Sequence, residues 1–359
     1  VVPAAGQIDR EEWLRVFGDQ AEGQDFFQVM EASQLEGFEF SYVLVSAAGR
    51  LELIAPLFWC DFDLALGVEG PGRKLLVAAR RLWPRLLRAR TLFCGSPFGE
   101  NGTIGLAADA GDPAALLAEL LRAMEEVGRR QGLALMLFKD FPAAQQPLLA
   151  PLAGAGFFRG ESYPNVEVPL PFPTLAAYVQ SLSANARKDL RRKVRHAEAA
   201  GQLRVEVVDD VTALIEPVYA LYLATYHAGS VRFEKLTREY FLETGRRLGG
   251  RAVFFLFYSG ERLVGFNLCF RHADQLIDKF IGLDYAVARP LNLYFYTWYH
   301  NVGWCLAHGI RRYQVGQTDH AAKVRLGGKL VPLYFYARHR NPLLNGALRL
   351  AARYLAPEA

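Results

Sequence analysis

The chain has 359 residues, 52% hydrophobic and 22% charged, the balance of a folded globular protein and not of a disordered or fibrous one. That length exceeds one ordinary core and suits two domains. A formal net charge of +4 permits an anionic ligand but gives no reason to expect DNA. The four cysteines (Cys60, Cys94, Cys269 and Cys305) lie far apart with no CxxC pair, which argues against a zinc site or a disulfide framework and for a reducing compartment.

The opening VVPAAGQIDREEW places acidic residues where a leader would carry basic ones, so a cytoplasmic location is the expectation. Residues 11–17 and 25–35 have helical spacing, and 40–46 and 51–57 read as paired strands across Ala47-Ala48-Gly49-Arg50. Residues 73–90 form a basic amphipathic segment interrupted at Pro84, and 91–105 (TLFCGSPFGENGTIG) a glycine-rich polar stretch. Asp112-Pro113 is an N-cap followed by proline, opening a helix to residue 131. A buried strand over 133–138, a short helix over 147–156 and a strand region over 157–170 follow. Pro169, Pro171 and Pro173 stiffen the chain and set the expected boundary between domains 1–170 and 171–359.

In the second half, Thr174 caps a helix to residue 181, and 185–200 is a very basic helix ending at Gly201. A strand over 203–208 and a helix over 210–226 precede a polar loop holding Arg232, Phe233 and Glu234. Thr237 caps a helix to 248, and 252–258 with 262–271 form a hairpin about Ser259-Gly260-Glu261. Residues 276–316 read as strand, loop, helix, strand: the first run stops at Gly282, and a polar turn from Asp284 closes at Pro290. Leu291, Phe295, Trp298, Val302, Cys305 and Leu306 then share one helix face, and His308-Gly309 end that helix. A strand over 330–338 and an amphipathic helix over 342–355 close the chain. Each half repeats the succession of helices, hairpin, strand, helix and strand, which predicts an α/β fold of two domains of one type, each a mixed central sheet flanked by helices. No apolar run approaches the roughly 20 residues of a membrane-spanning helix.

Four segments carry a resemblance. SLSANARKDLRRKVRHAEAAGQLRVEVV resembles the opening of the second domain in the FemAB-like branch of the GCN5-related N-acetyltransferase (GNAT) superfamily, and VYALYLATYHAGSVRFEKLTREYF its next helix pair. GERLVGFNLCF followed by KFIGLDYAVARPLNLYFYTWYHNVGWCLAHGIRRYQVGQ resembles the central hairpin, helix and strand, and AAKVRLGG the lysine-containing turn after them. The likeness covers residues 181–340, and the first half fits the degenerate partner domain of such tandem proteins. It implies two tandem GNAT-like domains and an N-acyltransferase. That enzyme would carry an acyl group from a thioester, with acyl-CoA as co-substrate and no permanently bound cofactor, to a small-molecule amine, forming an amide. The alternatives are an aminoacyl transferase using charged tRNA, of the FemABX type, and a non-catalytic scaffold; peripheral membrane contact is compatible with all three. The chain departs from ordinary acetyltransferases at Asp284–Pro290, where one arginine and no glycine stand in place of the family's Arg/Gln-x-x-Gly-x-Gly/Ala phosphate loop.

The candidate site residues are weighed against plainer roles. Arg187, Lys188, Arg191, Arg192 and Arg195 share one helix face and can hold phosphates or form a solvated stripe. Gln317, Asp319 and His320 stand at a strand end, where ligand sites of open α/β sheets form, and Asp319 or His320 suits a base for an attacking amine. Lys323 and Arg325, beside Gly327-Gly328, can neutralise an anion or decorate a turn. Tyr294, in the first turn of the long helix, is the tyrosine nearest the loop. Asp284 is a catalytic candidate or the cap of its turn, and Asp278 inside an apolar run needs a partner. His227 can line an acceptor pocket or simply pack. Cys94 has no histidine near it in sequence, which disfavours a nucleophile.

Overall fold

The computed structural model describes residues 1–65, 78–83, 86–229 and 233–352. The first hairpin forms where alternation predicts it: strands β1 (Glu39–Ala47) and β2 (Arg50–Asp63) pair antiparallel. Ala48 and Gly49 between them both take positive φ, 49° and 76°, the geometry a two-residue turn needs to match strand twist. β3 (Arg88–Cys94) adds antiparallel to β2, and β5 (Leu135–Pro142) adds parallel to β3. Short β4 (Gly105–Leu106) pairs with β2. Residues 73–77, 84 and 85 of the expected basic segment lie outside the described residues, as do Arg232 and the end of the closing helix.

The strand region 157–170 is two strands in two different sheets. β6 (Phe158–Glu161) belongs to the first sheet, while β7 (Asn165–Pro169) pairs with the second. The single strand expected over 330–338 divides in the same way. β13 (Lys329–Val331) pairs with β7, and β14 (Leu333–His339) crosses back to lie between β5 and β6. Each crossing falls at a proline, Pro164 and Pro332, where the missing backbone N–H interrupts a ladder. Two chain segments thus pass between the sheets side by side, tied by Ser162 N–H to Leu333 O at 2.9 Å. The remaining strands are β8 (Leu203–Val208), β9 (Ala252–Ser259), β10 (Arg262–His272), β11 (Gln275–Leu283) and β12 (Arg312–Gln314). The first sheet runs β1-β2-β3-β5-β14-β6 and the second β13-β7-β12-β11-β10-β9-β8.

Helices α1 (Arg10–Phe17) and α2 (Gln24–Ala32) open the chain, and α3 (Pro113–Arg130) starts at Asp112, whose carboxylate accepts from Ala114 N–H at 3.0 Å. α3 lays Leu116, Leu117, Leu120 and Met124 on one face of the first sheet. In the second half α4 (Leu175–Ser181), α5 (Ala184–Gly201) and α8 (Leu293–Ala307) cover one face of the second sheet. α6 (Ile215–Ala228) and α7 (Arg238–Leu248) cover the other, and α2 packs with them. The core is therefore shared between the halves: the Phe26 and Phe270 rings lie 5.8 Å apart, and those of Phe98 and Tyr240 5.2 Å apart. α9 (His320–Arg325) and α10 (Pro342–Ala352) complete the fold.

Candidate active site

A cavity of about 630 Å³ opens at the seam between the two sheets, a size typical of small-molecule sites. Two features of β11 create its floor. Parallel pairing with β12 covers only Gln275–Ile277 against Arg312–Gln314. Beyond Ile277, β11 runs on to Leu283 with no strand on that edge among the described residues. The two strands splay into a wedge. On the opposite edge, Leu268 pairs with Phe280 and Cys269 with Asp278, so Lys279 is an extra residue in a β-bulge. A bulge re-aims side chains that would otherwise alternate, and both Asp278 and Lys279 line the cavity.

Asp278 is the acid at the heart of the wedge. Its carboxylate accepts from Tyr313 Oη at 2.9 Å and from Asn267 Nδ2 at 3.2 Å. Tyr313 in turn accepts from Asn301 Nδ2 at 2.9 Å, so its own proton points at the acid. Burial nevertheless pushes the Asp278 pKa up to about 6, against the pull of the Tyr313 bond and the Lys323 charge. Tyr294, in the first turn of α8, also lines the cavity. Its hydroxyl is buried with no hydrogen-bond partner among the described residues, and burial first, then the charge of Asp278, raises its pKa and keeps it protonated.

Lys279 is held differently. Its ammonium is wholly buried and meets Glu22 at 2.5 Å, Glu100 at 3.1 Å and the carbonyl of Phe98 at 2.8 Å. Burial works against the charge, but Glu100 and Glu22 outweigh it, and the lysine pKa ends above its ordinary value. One ammonium cannot neutralise two acids, so Glu22 is also raised, by burial first. Glu234, on the loop before α7, is pushed up to about 7 by burial, with Lys139 opposing. The glycine-rich stretch delivers Phe98, Gly99 and Glu100 to this cavity. It can do so because Gly102 lies so close to β5 that a Cβ there would sit 2.2 Å from Lys139 O.

Of the residues singled out in the sequence, Tyr294, Gln317, Asp319 and Lys323 line this one cavity. Asp319 starts α9 with φ at 53°. Lys323 is buried and donates to Val315 O, and burial lowers its pKa against the pull of Asp278. The others stand elsewhere. Asp284 accepts from Ala286 N–H at 3.0 Å and pairs with Arg262, as a cap of its turn. His320 places Nε2 2.9 Å from Pro164 O; a carbonyl only accepts, so that nitrogen carries the hydrogen. Arg187 donates to Gln180 O and Leu182 O at 2.8 and 3.1 Å, securing the α4–α5 junction. Lys188, Arg191 and Arg195 are exposed on α5 outside the cavity, and Arg325 lies 3.8 Å from Asp189. His227 also falls outside the cavity lining, and Cys94 is buried in the first sheet with its thiol pKa raised by burial.

The cavity also holds Asp278, which the sequence marked only as an acid in need of a partner, together with Lys279, Glu100 and Glu234. The signal for the first two is an Asp-Lys pair inside an otherwise apolar strand, and the bulge explains why both charges find the same side. Glu22 and Glu100 carry no such local mark, because their partner is more than 170 residues away.

Two mixed sheets stand in tandem, with a bulged and splayed strand pair at the centre of the second. Residues 184–324 match the family model of the acetyltransferase (GNAT) domain, so the second half carries a GNAT domain. Among solved structures the chain resembles FemX, with 13% identity, 96% of this chain and 98% of that one covered, and a TM-score of 0.59. It also resembles the C-terminal domain of a putative lysylphosphatidylglycerol synthetase from Agrobacterium fabrum, at 12% identity over 96% and 95% of the chains with a TM-score of 0.57. A tandem GNAT protein from the clavulanic acid biosynthesis pathway aligns at 15% identity over 95% and 98%, with a TM-score of 0.57. At these identities the likeness is one of fold. No curated protein matches the sequence. No helix among the described residues is long and apolar enough to cross a membrane.

Proposed function

We propose that the protein is an N-acyltransferase that moves an acyl group from acyl-CoA to an amine, with chemistry at the wedge of β11 and β12. The observation that carries this reading is the presence, in one cavity, of a carboxylate with a pKa of about 6 and a tyrosine hydroxyl that has no hydrogen-bond partner among the described residues. An amine arrives protonated at neutral pH and cannot attack. Asp278, ionised at pH 7, accepts that proton. The freed lone pair attacks the thioester carbonyl carbon, and Tyr294 Oη–H donates to the oxyanion that forms. Collapse breaks the C–S bond as the second proton on nitrogen passes to the departing sulfur, leaving an amide and a free thiol, and the proton held by Asp278 returns to solvent.

The setting supports a thioester donor. Beyond Ile277, the edge of β11 that carries no strand among the described residues offers backbone groups to an amide-bearing arm. The first turn of α8 borders the cavity through Tyr294, and α5 packs beside it, with Lys193 Nζ 3.4 Å from the Phe295 ring centroid and His196 Nε2 2.9 Å from Pro290 O. Phosphates outside the cavity would meet the helix N-terminus and the cations Lys188, Arg191 and Arg195.

The test is acyl transfer from a panel of acyl-CoA donors to a panel of amines, read by product mass, beside thermal shifts with acyl-CoA and with charged tRNA. Amide product with acyl-CoA, lost in Asp278→Asn, is the expected result. Stabilisation and transfer with charged tRNA alone would replace acyl-CoA by an aminoacyl-tRNA donor, and no transfer and no shift with either would leave a scaffold.

A further inference from the structure

Much of the cavity has no part in that chemistry. Its charged groups gather at the seam, while the rest runs over the face of the first sheet that α3 does not cover. There the register aligns four side chains in a straight row across four adjacent strands: Phe93 of β3 beside Leu137 of β5, Leu137 beside Ala337 of β14, and Ala337 beside Phe158 of β6. All four line the cavity. Successive strands lie about 4.8 Å apart, so the row spans about 14 Å. The roof is thin. Phe233 covers one end, and α10 lays Leu348, Ala351 and Ala352 over the row. Ala337 in the floor and the alanines of α10 in the roof face each other with small side chains, where a packed core would place large ones.

We infer that this slot holds an unbranched aliphatic chain of roughly twelve carbons, at about 1.2 Å per bond as in an extended backbone, carried by one of the two substrates. The inference rests on the acyl-transfer reading for its reacting end but not for its apolar end. An apolar slot of this shape gains by exchanging water for methylenes and offers nothing to a charged or branched group. The chain belongs either to the acyl donor or to the tail of the amine, and its head group then lies at the Asp278 wedge.

The experiment measures binding to the full chain of two homologous series, acyl-CoAs and straight-chain alkylamines, each from two to sixteen carbons, by thermal shift and calorimetry. One series should bind roughly threefold tighter for each methylene added between four and about twelve carbons and then level off; which series does so identifies the substrate that carries the chain. Ala337→Phe, which fills the floor, should cut the ten-carbon to four-carbon affinity ratio at least tenfold. Leu348→Trp narrows the slot from the half-exposed roof, and should do the same if Ala337→Phe folds poorly. Length-independent binding in both series overturns the inference, as does a ratio within twofold of the parent in a folded variant of either kind. Transfer without length dependence would remove the slot and leave the acyltransferase, whereas length-dependent binding without transfer would do the reverse.

Discussion

Lys279 Nζ lies 2.5 Å from Glu22 Oε1, and this ion pair joins the two halves of the protein beside the cavity. Lys279 comes from the bulge of β11 and Glu22 from the turn before α2, and Glu100 from the glycine-rich loop completes the cluster. The side chain of Lys279 has no exposed surface, so water screens none of this.

Lys279→Met should therefore destabilise the fold by about 3–5 kcal/mol, because it leaves two acids buried with no cation. A urea titration reads the change. Glu22→Gln in the Lys279→Met background should recover part of the loss. The lysine's folded pKa is raised above its unfolded value, so its contribution is present below pH about 10.4 and fades as pH rises through the folded pKa.

Asp278 sets the pH dependence of turnover. It must be ionised to accept a proton, and its pKa is about 6. The rate should fall about tenfold per pH unit below that value and level off above it. Asp278→Asn should remove the limb and lower kcat by two to four orders of magnitude. Its folded pKa lies above the unfolded one, so the ionised acid costs stability as pH rises through this range. Thermal scans of Asp278→Asn should accordingly lose less stability than the parent between pH 4 and pH 8.

Tyr294→Phe separates catalysis from folding. The hydroxyl has no hydrogen-bond partner among the described residues, so its removal breaks nothing and should leave unfolding free energy within about 0.5 kcal/mol of the parent or slightly higher. Loss of one donor to an oxyanion should cost kcat about two orders of magnitude. A variant equally slow and equally unstable would assign the tyrosine to packing instead.

Gly102→Ala tests the delivery of Glu100. A Cβ there meets Lys139 O at 2.2 Å and the Phe141 ring at 2.4 Å, so the loop must move away from β5. The expected cost is about 1–3 kcal/mol in stability, with weakened substrate binding, since Glu100 and Phe98 are carried by the same loop.

Local order was legible wherever one short segment decides it. Asp112-Pro113 opens α3, Thr174 caps α4 through Ala177 N–H at 3.1 Å, and the long helix and its neighbouring strands fall within a few residues of their predicted places. The GNAT resemblance, carried by four segments of the second half, agrees with the domain match over residues 184–324. The lining of the candidate cavity was legible only in part. Tyr294, Asp319 and Lys323 follow from their positions at a helix start and a strand end, while the arginine stripe of α5, the most conspicuous feature of the sequence, lies outside the cavity. A run of cations is visible because its members are neighbours in sequence, but a cavity is made by residues that are not.

The sequence by itself determined the elements, the class of fold and the kind of protein, because hydrophobic period, caps and turn residues act over a few positions. Only the tertiary structure decided that β7 and β14 exchange between sheets, that a bulge turns Asp278 and Lys279 to one side, and that Glu22 and Glu100 meet Lys279. These rest on pairing register and on charges brought together across long stretches of chain. Burial then gives Asp278 a pKa that no sequence neighbour could set.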